Sequence, residues 1–111
     1  MKSPQQIHYR QGDVLIERVG SFPSNLKQID REHGRLILAH GEVTGHAHAI
    51  TAPNADLYSA VDTGDVTFLE IKEAVVELEH DEHATIELPP GKYAVRRQRE
   101  YQPDDIRRVA D

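Results

Sequence analysis

The chain contains no cysteine and no tryptophan, and aromatic residues make up only 5% of it. Without cysteine there can be no disulfide, no thiolate metal ligand and no cysteine nucleophile. With so few aromatics, the core has to be built from Val, Ile, Leu and Ala. No apolar run approaches the length of a membrane-spanning helix. The first six residues, Met1 to Gln6, lack the apolar stretch of a secretory signal. These absences together predict a cytoplasmic protein with no membrane partner. The sequence also lacks a phosphate-binding Walker loop, a Gly-x-Gly-x-x-Gly fingerprint, a His-Glu-x-x-His helix, an EF-hand loop and a Gly-x-Ser-x-Gly elbow. No catalytic residue is assignable from it.

Positive charge is also in deficit. Thirteen Lys and Arg stand against nineteen Asp and Glu, a net charge of −6, which argues against nucleic acid as a partner. The imbalance is uneven. Lys92, Arg96, Arg97, Arg99, Arg107 and Arg108 crowd the last twenty residues beside only Glu100, Asp104, Asp105 and Asp111.

Short strands and frequent turn signals fill the 111 residues, a length suited to one domain. Residues 7–19 read as a strand pair or one bent strand, broken at Gly12-Asp13, and residues 26–33 as a helical turn or irregular loop. Strands are expected at 35–39, 46–51, 57–61, 66–71, 74–80, 85–88 and 92–101, with turns at Asp62-Thr63-Gly64-Asp65 and Pro89-Pro90-Gly91. No helical period is sustained. The expectation is a single all-β domain over residues 1–111, an antiparallel barrel or sandwich of about eight short strands. Residues 1–6 and 103–111 are expected to be flexible ends.

Chemistry concentrates in the histidines. Ala39-His40-Gly41-Glu42-Val43-Thr44-Gly45-His46-Ala47-His48 reads as a β-hairpin whose glycines permit the turn. Strand side chains alternate faces with a period of two. That alternation puts His40 with Leu36 and Leu38, and His46 and His48 with Ile50. In Val76-Glu77-Leu78-Glu79-His80 it puts His80 on the face of Val76 and Leu78. Histidines from three segments are thus expected to point inward together, and His83, in the acidic turn beyond, is a reserve member. Neutral imidazole is the commonest protein ligand for transition metals near neutral pH. His40, His46, His48, His80 and His83 are therefore the candidate ligands of one divalent ion, Zn, Ni, Fe or Mn. Glu42, Glu70 and Glu82 are candidate carboxylates, with nothing to choose among them. His8 and His33 read as surface residues.

The short strands, Gly41-x4-His46-Ala47-His48 and the later histidine resemble the cupin superfamily. Those small β-barrels carry Gly-x5-His-x-His followed by a glutamate, then a Pro-x-Gly motif closely followed by another histidine. The resemblance spans roughly residues 40–93 and implies a cupin-like barrel in which His46, His48 and, as a third, His80 bind metal. The glycine spacing here is one residue shorter, no acid follows His48 before Asp56, and Pro89-Pro90-Gly91 comes after His80. His40 and His83 have no counterpart in the family pattern and rest on alternation alone.

Arg97 and Arg99 share a strand face and are the candidate binders of a small anionic molecule. The expectation is thus a small metal-binding protein that binds or acts on such a molecule. The rival is a non-catalytic interaction module using the Arg96 to Arg99 strand. Exposed edge strands also make a homodimer the expected assembly.

Overall fold

The computed structural model describes residues 7–41, 46–61 and 63–97. Ten strands run through them: β1 (His8–Gln11), β2 (Val14–Arg18), β3 (Leu26–Gln28), β4 (Leu36–His40), β5 (Ala47–Ile50), β6 (Ala55–Ala60), β7 (Thr67–Ile71), β8 (Val76–His80), β9 (His83–Leu88) and β10 (Gly91–Arg97). The described residues contain no helix, and so none long and apolar enough to cross a membrane.

The strands form two antiparallel sheets. Six lie in the order β1-β2-β10-β7-β6-β3 and four in the order β4-β5-β8-β9. The all-β expectation holds, but the barrel does not. Each sheet ends in its own edge strands, so the hydrogen-bonded ladder never closes into a ring. The segment expected as a helical turn or loop supplies β3, because Leu26, Lys27 and Gln28 pair with Ala60, Ser59 and Tyr58 of β6. The hairpin of β4 and β5 is present, with the Gly41 N–H donating to the His46 carbonyl at 2.8 Å. Its loop residues 42–45, and the chain beyond Arg97, lie outside the described residues, as do both expected flexible ends.

Alternation explains where the core lies. Val14 and Ile16 of β2, Leu57 of β6, Leu69 and Ile71 of β7 and Tyr93 and Val95 of β10 turn one face of the large sheet inward. Leu36, Ile50, Val76, Leu78 and Leu88 do the same from the small sheet, and all belong to one buried cluster. Each fully buried aliphatic side chain is worth roughly 1.5–3 kcal/mol. β5 is buried along its whole length, alanines included. On the other side of the large sheet, Phe22 packs against Phe68 and Tyr58, with the Lys92 ammonium over its ring.

Candidate metal centre

Two β-bulges decide which histidines meet. In the first, Ile37 pairs with Ala49 but Ala39 pairs with His48, so β4 carries an extra residue. A bulge reverses alternation beyond it. Ala39 therefore takes the inner face, and His40, opposite Ala47, turns outward. The expectation that His40 shares a face with Leu36 and faces His46 is corrected here. Its imidazole is exposed, with Nε2 3.6 Å from Glu32.

The second bulge acts in the opposite sense. Leu78 pairs with Ile86 but His80 pairs with His83, so the extra residue lies in β9. Without it, His83 would share the outer face of Thr85 and Glu87. With it, His83 stands directly across from His80, the rings 4.7 Å apart. His83 is thus the first residue of a strand rather than part of a turn. The ring of His48 lies 4.3 Å from that of His80 and 5.9 Å from that of His83, and His46 lies 5.9 Å from His80. Four of the five expected histidines, His46, His48, His80 and His83, are gathered, and His40 is not.

His48 is the buried centre of this group, only 2% exposed. Its Nδ1 is 2.8 Å from Oε1 of Gln11, which is equally buried. The Gln11 amide nitrogen donates to the carbonyls of Leu78, at 2.8 Å, and Ala84, at 2.9 Å. Those two acceptors fix which end of the amide faces His48. The amide oxygen can only accept, so His48 Nδ1 carries a proton and donates it. This is the outer-shell arrangement that orients metal-bound histidines elsewhere. Burial, helped by the charge of His80 and opposed by Asp13, pushes the His48 pKa down to about 4. The ring is neutral at pH 7, with the Nε2 lone pair available.

The other members are more open. His46 has Asp81 3.5 Å from Nε2 and Glu82 3.6 Å from Nδ1, while Nδ1 is buried without a hydrogen bond. His80 Nδ1 accepts the Glu82 backbone N–H at 3.0 Å, which leaves a neutral His80 protonated on Nε2. Two glycines make room for the rings. A Cβ at Gly12 would lie 2.7 Å from His83 Nε2, and one at Gly41 would lie 3.3 Å from His80 Nε2. As the side chains stand, no three His, Asp or Glu among the described residues are arranged to hold a metal ion. Donor chemistry and ring spacing fit a metal, but full convergence requires the rings to turn and His80 to give up its bond to Glu82.

Arg97 does not reach into open space. Its Nε donates to Asp13 Oδ2 at 2.7 Å and its terminal nitrogen to the His40 carbonyl at 2.6 Å. Burial works against the Asp13 carboxylate, but the Arg97 hydrogen bond and charge outweigh it and hold that carboxyl below its usual range. Asp13 Oδ1 lies 3.7 Å from His48 Nε2. Arg99 and Glu42 lie outside the described residues. Glu70 sits in the large sheet opposite Asp56 and Lys92, and of the two described candidate carboxylates it is Glu82 that adjoins the histidines. His8 and His33 are exposed, as expected.

Gln11 and Asp13 were the residues missed by sequence reasoning. They flank Gly12 in the two-residue turn joining β1 to β2, whose positive φ of 59° at the first position fits a type II′ turn. A turn glycine next to an acid is too common to announce a site. The packing of that turn against the small sheet gives it its meaning.

A model of the family described as a domain of unknown function (DUF8820) matches residues 10–98, which include every residue of this cluster. No curated protein and no solved structure matches the chain.

Proposed function

The chain belongs to the DUF8820 family, and we propose that it binds one divalent transition-metal ion through His46, His48, His80 and His83. The observation that carries this reading is the gathering of four imidazoles around a buried, neutral His48. Two imidazoles sharing a metal at about 2.0–2.1 Å place their ring centres about 4.5–5.5 Å apart, close to the 4.3–5.9 Å found here. Asp81 and Glu82 beside His46 add a field that favours a cation. An all-nitrogen set suits Zn, Ni or Fe. The likeness to cupins lies, on this reading, in ligand logic: a His-x-His pair on one strand and further histidines from a later hairpin. Where only three imidazoles coordinate, the remaining position accepts water or an oxygen of a small ligand, which the metal would polarise.

Titration of untagged, chelator-treated protein with zinc(II), nickel(II), iron(II) and manganese(II), read by calorimetry, tests the reading. At least one metal is expected to bind with unit stoichiometry. Since loss of an outer-shell partner costs about 10–100-fold, His48→Ala and His80→Ala should each weaken binding by at least about 100-fold. His40→Ala should leave it unchanged. No uptake of any metal, or an effect of His40→Ala equal to that of His48→Ala, would overturn it.

A further inference from the structure

We infer that Asp13 is the carboxylate ligand of this centre, its Oδ1 completing the site opposite His48 Nε2; this rests on the metal-binding reading above. Neither sequence alternation nor the family match points to it. Both donors of the Gln11 amide are spent on the Leu78 and Ala84 carbonyls. The proton of His48 is consequently on Nδ1. Nε2 then faces Asp13 Oδ1 across 3.7 Å.

Two protonation states have to be weighed. If Nε2 carried a second proton, a donor and a carboxylate would stand face to face yet too far apart to bond, since N–H···O contacts run to roughly 3.2 Å. If Nε2 is bare, its lone pair faces a carboxylate oxygen, which is repulsive. A cation between them satisfies both. Nitrogen and oxygen ligands of one metal are separated by roughly 3 Å, so a closure of a few tenths of an ångström would complete the pair.

Asp13 is also held for such a role. Its Oδ2 is engaged by Arg97 Nε, which leaves Oδ1 as the oxygen turned toward His48. One short turn therefore supplies both the outer-shell partner that fixes the His48 tautomer and a donor to the metal. The guanidinium of Arg97 offsets part of the carboxylate charge without occupying the coordinating oxygen.

The competing account is that Asp13 serves only to anchor Arg97. Zinc(II) calorimetry and cobalt(II) visible absorption on the full chain separate the two. Asp13→Asn keeps the shape and an acceptor for Arg97, yet it should weaken zinc binding by at least roughly 10-fold and alter the cobalt band. Arg97→Gln keeps the carboxylate but removes the group that orients it, so it should weaken zinc binding by about 10-fold and leave the cobalt band unchanged. In wild-type protein, zinc should also move the carbon-13 resonance of the Asp13 carboxyl, a measurement that needs no variant to fold. An unmoved resonance overturns the inference, as does an Asp13→Asn protein with wild-type affinity and spectrum, or an Arg97→Gln protein whose cobalt band shifts as far as that of Asp13→Asn. In each of those cases the histidine site survives. Wild-type protein that takes up none of zinc, cobalt, nickel, iron and manganese removes the histidine site and Asp13 with it.

Discussion

The two bulged hairpins of the small sheet each place a histidine next to an alanine near the bulge, with opposite outcomes. β4 ends Leu38-Ala39-His40 and its bulge throws the histidine outward; β9 begins His83-Ala84-Thr85 and its bulge brings the histidine in. The difference lies in what holds each one. The β9 bulge is pinned from within, where the buried Gln11 amide takes the carbonyls of Leu78 and Ala84. The end of β4 is tied from outside, by Arg97 donating to the His40 carbonyl. An inner tie leaves its partners no water to turn to, so removing it is costly. An outer one can be replaced by solvent.

The sharpest way to break this contrast is Gln11→Leu. It keeps the volume roughly constant but strands two carbonyls and the His48 Nδ1–H. With buried unsatisfied groups costing about 1–3 kcal/mol each, a loss of about 4 kcal/mol is expected. Urea denaturation measures it. A loss below 1 kcal/mol would mean that the inner bulge needs no such tie.

Acid attacks the same region through His48. Its folded pKa, about 4, lies below the ordinary 6.5, so between these values the unfolded chain holds the proton more tightly. Above about pH 6.5 the group is neutral in both states and has no effect. As pH falls from 6.5 to 4, the metal-free protein should lose on the order of 3 kcal/mol, and below 4 this loss should stop growing. Asp13, with its pKa lowered, contributes stability that is lost only at lower pH. His48→Gln should flatten the curve between 4 and 6.5. Equal slopes in wild type and variant would remove His48 as the acid-sensitive group.

How far the sequence could reach follows from the same bulges. The strands were legible because Val76-Glu77-Leu78 and Val14-Leu15-Ile16 carry strong β-formers between turn residues. His46, His48 and His80 were legible because no bulge separates each from the aliphatic neighbour that sets its face. His40 was misjudged because a single inserted residue in β4 reverses the side chains beyond it, and the reserve member His83 was expected in a turn because nothing in Ala84 marks the insertion that makes it the start of a strand. Gln11 and Asp13 were invisible because their partners lie 35 to 84 residues away. The choice between two sheets and one closed barrel was left open, since short strands with turns at regular intervals suit both.

A smaller effect sharpens the comparison at Gly12. Gly12, at 59°, and Gly34, at 79°, both lie in turns with positive φ. A side chain at Gly34 would meet nothing within 4 Å, whereas one at Gly12 would run into the His83 ring. Gly34→Ala therefore carries only the backbone cost, roughly 1 kcal/mol. Gly12→Ala carries that cost and also displaces the imidazole. His83 is exposed, so its ring can swing aside, and the added destabilisation should stay within about 1 kcal/mol. The consequence for the site should be larger than the consequence for stability. Gly12→Ala should weaken zinc binding by roughly 10-fold, as a disturbed ligand orientation does, while Gly34→Ala leaves it unchanged. Equal zinc affinities in the two variants, at similar losses of stability, would mean that His83 is free to ligate from any position, and that the inner bulge does not need to aim it.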